Sequence, residues 1–174
     1  MKRVLLLTGK PGTGKTALIK EAIVKTRIKA GGFYTEEIRS GGVRQGFRII
    51  TLDGQDGILA HINISSPYQV SKYRVDINSL NEVGVSAIHQ ALKECDLVVI
   101  DEIGKMELLS PRFKETVQQV IDSGKKVLGT IMLSPNPFAD EIKHHPEVKL
   151  LVVTSSNHNQ ALREILNWLE IVAR

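Results

Sequence analysis

Eight consecutive residues near the start of the chain combine glycines, a lysine and a hydroxyl group. They are Gly9, Lys10, Pro11, Gly12, Thr13, Gly14, Lys15 and Thr16, and they match the pattern G-x-x-x-x-G-K-[ST]. Glycines allow the backbone to approach a ligand closely, so that successive amides can turn inward around phosphate oxygens. Lys15 then supplies positive charge to the β- and γ-phosphates, and the Thr16 hydroxyl coordinates Mg²⁺. The segment therefore predicts a phosphate loop that binds a nucleoside triphosphate with Mg²⁺, with Lys15 as a catalytic residue.

Two acidic residues follow a second apolar run. Leu97–Ile100 is typical of a buried strand and leads directly into Asp101 and Glu102. Since parallel sheets bind ligands at the carboxyl ends of their strands, we expect Asp101 to hold Mg²⁺ through water. A carboxylate at Glu102 is expected to orient or deprotonate the attacking water. On the following turn, Lys105 and Glu107 are either groups that reach the γ-phosphate or its outer water, or ordinary solvated charges.

Other polar residues give weaker indications. Asp101–Gly104 also fits the D-x-x-G pattern of GTPases, but the guanine-reading motif Asn-Lys-x-Asp is absent, which argues against a guanine-specific switch. Three arginines of a predicted hairpin are candidates for an arginine finger supplied in cis, with ordinary surface arginines as the alternative. These are Arg39, Arg44 and Arg48. The adjacent His144 and His145 do not predict a metal site, because neighbouring side chains point apart and no third ligand is evident.

Strands and helices that position these residues alternate along the chain. Arg3–Thr8 is a nearly continuous apolar run, typical of a strand covered on both faces. A helix follows the glycine-rich segment, and Ala30-Gly31-Gly32 is expected to end it. The apolar positions of that helix are Leu18, Ile19, Ala22, Ile23 and Val24.

Antiparallel strands are expected next. Phe33–Arg39, Val43–Leu52 and Gly57–Ile64 are separated by turns too short for a crossover connection. Ser65–Asn78 contains Pro67 and has no clear period, so this segment is predicted to be a loop.

The second half of the chain returns to alternation. Ser79–Glu82 fits a capping box at the start of a helix that reaches Cys95, and Pro111 fits the first turn of another helix. Two further strands and a final helix are predicted at Lys126–Met132, Leu150–Thr154 and about Asn157–Ala173. The final helix is expected to bury Leu162, Ile165, Leu166, Leu169 and Val172. Cys95 and Trp168 are expected to pack in the core.

This order predicts an α/β fold with a mainly parallel central sheet, an early antiparallel hairpin insertion and helices on both faces. No linker or repeat interrupts it, so residues 1–174 are expected to form a single domain.

Composition restricts the functional classes. Hydrophobic residues make up 42% and charged residues 24%, and no apolar stretch approaches the length of a membrane span. The single cysteine excludes an internal disulfide framework, and a cytoplasmic location is expected. The formal net charge of +4 permits a nucleic-acid partner, but no basic run indicates one.

Three motifs in this order resemble a known family. Residues 9–16, Gly-Phe-Tyr-Thr-Glu-Glu-Ile-Arg at 32–39 and Asp-Glu-Ile-Gly-Lys-Met-Glu-Leu at 101–108 resemble the thermophile nucleoside-triphosphatase family, whose animal members are called cancer-related nucleoside-triphosphatases. The resemblance spans nearly the whole chain. It implies a RecA-like core that hydrolyses the terminal phosphate of several nucleoside triphosphates, including ATP and GTP.

The resemblance also implies a second nucleotide-binding stretch beside the phosphate loop. Its residues are Asp101, Glu102, Ile103, Gly104, Lys105, Met106, Glu107 and Leu108. The region 53–78 matches none of the three motifs, and its role stays open.

The motifs favour a Mg²⁺-dependent phosphohydrolase with broad base tolerance, because no acceptor-substrate motif is evident. One alternative is a nucleoside or nucleotide kinase, in which Ser65–Asn78 would have to supply an arginine-rich lid although only Lys72 and Arg74 are basic there. Another is a nucleotide-gated nucleic-acid-binding module, for which an aromatic content of 5% offers few stacking surfaces.

Overall fold

A central mixed sheet organises the chain. The computed structural model describes the backbone of residues 1–173 and the side chains of residues 1–170. In this part, nine strands form one sheet in the order β5-β6-β4-β3-β2-β7-β8-β1-β9. The strands are β1 (Val4–Thr8), β2 (Ala30–Ser40), β3 (Val43–Thr51), β4 (Asp56–His61), β5 (Gln69–Val70), β6 (Tyr73–Val75), β7 (Leu97–Ile103), β8 (Lys126–Ile131) and β9 (Val148–Val152). The predicted α/β fold with a mostly parallel sheet is confirmed.

Helices cover both faces of the parallel half. They are α1 (Lys15–Thr26), α2 (Ile77–Ser79), α3 (Ser86–Glu94), α4 (Pro111–Asp122), α5 (Pro137–Lys143) and α6 (His158–Ala173). A π-helical stretch, Leu80–Val85, joins α2 to α3, and a 3₁₀ turn spans Glu107–Leu109.

Alternation along the buried strands divides the core into two layers. In β1, Leu5 and Leu7 pack with residues of α1 and α6, whereas Val4 and Leu6 pack with residues of α3, α4 and α5. All four side chains are almost completely buried. Since neighbouring side chains of a strand point to opposite faces, a strand buried on both faces must be apolar at every position.

β2 joins the parallel and antiparallel halves of the sheet. Its first residues, from Ala30 to Phe33, pair in parallel with β7, and its remainder pairs with β3 as an antiparallel hairpin. Phe33 lies opposite Ile100, so Thr35 and the residues after it rise beyond the level of Asp101. We call β3, β4, β5, β6 and the upper part of β2 the antiparallel extension. The predicted hairpin insertion is therefore a continuation of the main sheet and forms a wall above its carboxyl edge.

The predicted end of the first helix is wrong. α1 ends at Thr26, and Arg27 closes it with a left-handed φ of 54°. Gly31 and Gly32 lie inside β2, where close packing requires them. A Cβ on Gly32 would lie 2.0 Å from the Val99 carbonyl oxygen, so the absence of a side chain allows β2 to lie this close to β7.

The predicted capping box is also wrong. The helical segment begins three residues earlier, and Asp76 caps it by accepting a hydrogen bond from the Ser79 amide at 2.9 Å. Part of the loop predicted at Ser65–Asn78 forms the short strands β5 and β6.

Further boundaries differ from the predictions. β7 continues to Ile103 rather than ending before Asp101, β9 spans Val148–Val152 rather than Leu150–Thr154, and α5 was not predicted. The start of α4 at Pro111 is confirmed, with Ser110 as its cap. Burial of Val172 lies outside the described side chains. Trp168 is buried, as predicted, and donates a hydrogen bond to the Lys2 carbonyl oxygen at 3.0 Å.

None of the helices in the described residues is both long and apolar enough to span a membrane.

The contact between β2 and β7 gives a stability prediction. Gly32 and Gly54 both have positive φ, 112° and 95°, but a Cβ at Gly54 would meet no atom within 4 Å. We expect Gly54→Ala to lower the free energy of unfolding by about 1 kcal/mol, from backbone strain alone. Gly32→Ala should cost at least about 3 kcal/mol because β2 must also move away from β7. Urea unfolding of both variants measures the difference, and equal losses would contradict this account.

Candidate active site

The phosphate loop lies between the end of β1 and the start of α1. Gly9, Gly12 and Gly14 all have positive φ, at 153°, 78° and 86°. A Cβ on Gly9 would lie 2.3 Å from the Val153 carbonyl oxygen, so only glycine fits there. The loop is thus a tight turn at a helix N-terminus, where backbone amides and the helix dipole favour an anion.

Lys15 lies back over this loop. Its ammonium group donates hydrogen bonds to the carbonyl oxygens of Gly9, at 3.0 Å, and of Lys10, at 2.9 Å. These contacts hold a positive charge at the mouth of the loop, within reach of any phosphate that the loop binds.

The phosphate loop and the acidic strand meet at Thr16 and Asp101. The Thr16 hydroxyl donates to the Asp101 carboxylate at 2.7 Å, and the Thr130 hydroxyl donates to its other oxygen at 2.8 Å. Asp101 is 1% exposed, and this burial raises the pKa of its carboxyl group, although the hydrogen bonds from Thr16, Thr130 and the Thr35 amide act against the rise. Burial and the charge of Asp101 also raise the pKa of Tyr34 to about 12.

The chemistry of this pair fits Mg²⁺. A hydroxyl oxygen and a carboxylate oxygen are hard ligands of the kind that Mg²⁺ prefers, and Mg²⁺ sites in proteins commonly use one or two carboxylates together with phosphate oxygens. Thr16 and Asp101, the two predicted metal ligands, are therefore brought together at the N-terminus of α1.

Glu102 faces the cleft next to this pair. The pairing of β7 with β8 shifts register between Asp101 and Ile103, and such a bulge redirects a side chain. Glu102 lines the same cleft as Gly9 and Lys15. Burial and then the charge of Asp101 raise the pKa of the Glu102 carboxyl group, while Lys15 opposes the rise.

Glu107 lies against Glu102 rather than in solvent. A Cβ on Gly104 would lie 2.9 Å from one carboxylate oxygen of Glu102 and 3.1 Å from one of Glu107, so Gly104 leaves space for both side chains. Glu107 is 3% exposed, and burial together with the charge of Glu102 raises its pKa well above the ordinary value. An ordinary solvated charge at Glu107 is therefore excluded, whereas Lys105 is exposed and lines the cleft.

The rest of the stretch 101–108 divides between cleft and core. Gly104 and Met106 line the cleft, but the side chains of Ile103 and Leu108 are buried in the core with those of α4. Any contact of Ile103 or Leu108 with a nucleotide would have to come from the backbone.

The three candidate arginines occupy different places. Arg39 is bound by Glu37 and the Gly42 carbonyl oxygen at the hairpin tip, and Arg48 pairs with Asp56. Only Arg44, among the three, lines the cleft beside the phosphate loop.

Thr35 and Glu37 belong to the motif at residues 32–39 and His158 belongs to none, but the sequence does not indicate that these residues lie near the phosphate loop. Thr35 and Glu37 line the cleft because β2 rises beyond Asp101. His158 packs against the phosphate loop, since a Cβ on Gly14 would lie 3.3 Å from its Nε2 atom. Both arrangements depend on contacts between residues distant in the chain, which no local motif reveals.

The remaining predicted residues lie elsewhere. Nε2 of His145 lies 3.2 Å from a carboxylate oxygen of Asp122, and Nδ1 of His144 lies 2.7 Å from the Asp140 carbonyl oxygen. Cys95 is half-buried beside Gly31, and burial raises the pKa of its thiol.

The fold and this site define a P-loop nucleotide-binding protein of the α/β class. The family model described as NTPase matches residues 4–166. Nucleoside-triphosphatase THEP1 of Thermotoga maritima is 49% identical over 166 residues, covering 95% of each chain. The chain belongs to this nucleoside-triphosphatase family, as the resemblance of its three motifs predicted.

Two solved structures share the fold. The crystal structure of THEP1 from Aquifex aeolicus has a TM-score of 0.88 at 35% identity, over 96% of this chain and 99% of that one. The solution structure of a human cancer-related nucleoside triphosphatase has a TM-score of 0.81 at 36% identity, over 98% of both chains.

Burial of Glu107 predicts a pH-dependent stability. In the unfolded chain Glu107 ionises at its ordinary pKa near 4.5, but in the folded, ligand-free protein its pKa is raised, so stability falls as the pH rises through this interval. Glu107→Gln cannot ionise. We therefore expect it to raise the melting temperature of the ligand-free protein at neutral pH, with the gain disappearing as the pH falls below the ordinary pKa.

Thermal unfolding across this pH range measures the effect, with the exposed Glu115→Gln as a control that should show no such trend. A Glu107→Gln variant that is less stable than wild type at neutral pH would show that the ionised carboxylate has a stabilising partner.

Proposed function

We propose that the chain hydrolyses the terminal phosphate of nucleoside triphosphates, NTP + H₂O giving NDP and phosphate, in a Mg²⁺-dependent reaction. The observation that supports it most is the 2.7 Å hydrogen bond between Thr16 and Asp101, with Lys15 and Glu102 beside it. Membership of the nucleoside-triphosphatase family agrees with this activity.

Each residue has a separate task in this proposal. Thr16 and Asp101 would hold Mg²⁺, which would offset the negative charge of the phosphates. Lys15 exchanges its two carbonyl contacts for the β- and γ-phosphates. Glu102 orients the attacking water and accepts its proton, a task suited to a carboxylate whose pKa is raised.

The geometry also sets the direction of the triphosphate. One side of the phosphate loop faces β7 through Thr16 and Asp101, and the other faces the segment after β9 through Gly9 and Gly14. Since the γ-phosphate must lie near Glu102, we place the nucleoside on the opposite side, next to His158.

Broad base tolerance follows from the residues on that side. The Asn157 side chain accepts a hydrogen bond from the Thr154 amide and donates one to the Val152 carbonyl oxygen, both at 2.8 Å. These bonds tie the amide group to its own loop and leave one N–H and one oxygen lone pair unused. His158 offers a ring face, and stacking on a ring accepts any base. We therefore propose that ATP and GTP are both substrates.

The kinase alternative is less favoured by the described residues. Arg74 donates to the Ser66 carbonyl oxygen and Lys72 lies over the Tyr73 ring, so both basic residues of the expected lid already have partners in the antiparallel extension. The sequence leaves a nucleic-acid partner possible without indicating one, and a cytoplasmic location stays a prediction from the sequence.

Glu102 gives the first kinetic prediction. Glu102→Gln keeps the shape of the side chain but removes the base, so we expect phosphate release with Mg²⁺ to fall about 100-fold or more. Binding of a fluorescent ATP analogue should change little. The exposed Glu36→Gln is the matched control and should keep wild-type turnover. Full turnover in Glu102→Gln would show that a group other than Glu102 accepts the proton of the attacking water.

His158 gives the second kinetic prediction. If its ring stacks on the base, His158→Ala should raise KM for ATP and GTP alike by about fivefold or more, because a base stack is worth about 1–3 kcal/mol. Since the ring lies away from Glu102, kcat should stay within about twofold of wild type. His144→Ala, at an exposed histidine directly after α5, is the control. An unchanged KM in His158→Ala would contradict the placement of the nucleoside on this side of the loop.

A further inference from the structure

The cleft beside the phosphate loop is larger than hydrolysis requires. Its volume is about 590 Å³, within the range of small-molecule sites, and it extends from Lys15 and Glu102 to the antiparallel extension. The attacking water needs only the first few ångströms of this space, next to the γ-phosphate.

The nucleotide, placed as proposed above, does not fill the cleft. Gly9, Lys10, Pro11 and Lys15 line it, but the rest of the phosphate loop and His158 do not. The cleft therefore continues beyond the γ-phosphate, on the side away from the nucleoside. A molecule in its outer part would lie beside the triphosphate without replacing it.

The lining of the outer part is largely apolar. Phe47, Leu59 and Val70 come from three strands of the antiparallel extension, and Met106 and Met132 come from the segments that follow β7 and β8. Apolar walls do not help to position water or phosphate. They favour an organic body, and methionine side chains adapt to the shape of such a ligand.

A cation is fixed at the edge of this apolar surface. The Arg44 side chain donates to the Tyr73 hydroxyl at 2.8 Å and to Glu37 at 3.1 Å, and its guanidinium lies 5.2 Å from the centre of the Phe47 ring. Glu37 is shared with Arg39, so the three groups together carry one net positive charge. Lys10 and Lys105 also line the cleft and add positive charge.

We propose that the outer cleft binds a small organic anion with an aromatic or aliphatic body, at the same time as the nucleotide. Charge complementarity to Arg44 and Lys105 selects the anionic group, and the apolar lining selects the body. Such a molecule lies between the γ-phosphate and solvent, so its binding restricts the access of water to Glu102 and slows phosphate release. The proposal rests on the triphosphate direction assigned above.

A fluorescent aromatic sulfonate, 8-anilinonaphthalene-1-sulfonate, has this chemistry and serves as the probe. We expect saturable fluorescence enhancement with wild-type protein. Its dissociation constant should change by less than about threefold when a non-hydrolysable ATP analogue and Mg²⁺ are saturating, because the two ligands occupy adjacent sites. The probe should lower kcat for ATP hydrolysis without raising KM.

Variants locate the probe. Val70 is half-buried on the short strand β5, so Val70→Glu should fold and should weaken probe binding about tenfold by placing negative charge against the sulfonate. Arg44→Gln should weaken it about fivefold. Val24→Glu, at a valine that is 74% exposed on α1, is the matched control and should bind the probe normally.

The outcomes separate this proposal from the proposed function. Displacement of the probe by the nucleotide analogue, or equal binding by Val70→Glu and Val24→Glu, would overturn the outer site while leaving hydrolysis intact. The melting temperature of each variant is measured to show that the variant is folded under the assay conditions, so that probe binding to unfolded protein does not contribute. If probe binding behaves as expected but ATP is not hydrolysed, the outer site stands and the proposed hydrolysis fails.

Discussion

The hydrogen bond between Thr16 and Asp101 is the contact on which the rest of the site depends. It joins the first turn of α1 to the end of β7, across 85 residues of sequence. Thr130, from β8, holds the other oxygen of Asp101, so three neighbouring elements converge on one buried carboxylate. Burial of that carboxylate is unfavourable without hydrogen-bond partners or a metal ion, so the pair links the stability of the sheet edge to ligand binding.

Parallel pairing explains how this convergence arises. β1 and β7 both pair with β8, which places the phosphate loop and Asp101 at the same edge of the sheet. The bulge after Asp101 then turns Glu102 toward the cleft, and Gly104 leaves room for Glu107 behind it. Small local irregularities in a regular sheet thus separate the carboxylate that we propose holds Mg²⁺ from the one that we propose accepts a proton.

The antiparallel extension gives the site a second wall. Because β2 continues past Asp101, its upper residues and those of β3 stand over the phosphate loop. Arg44 is held there by hydrogen bonds to the Tyr73 hydroxyl and to Glu37. The contact with Tyr73 and the position in the cleft distinguish Arg44 from Arg39 at the hairpin tip and from Arg48 beside Asp56.

Short sequence motifs predicted the position of the phosphate loop and of the acidic pair. The phosphate loop and Asp101-Glu102 are contiguous motifs next to apolar strands, so sequence alone indicated their positions. The prediction of a helix end at Gly31 and Gly32 is wrong, because glycine is common both at helix ends and where two strands approach closely. Burial of Glu107, the contact of His158 with Gly14 and the placement of Arg44 all depend on residues far apart in the chain. Such contacts follow from the assembled sheet and have no local pattern.

The central claim is that Lys15, Thr16 and Asp101 hold a magnesium triphosphate with its γ-phosphate toward Glu102 and its base toward His158. A crystal structure with a non-hydrolysable ATP analogue and Mg²⁺ tests it most directly. The account predicts the metal on the Thr16 hydroxyl beside Asp101 and a water between Glu102 and the γ-phosphate. A nucleotide bound in the reverse direction, with its base in the outer cleft near Phe47, would contradict it.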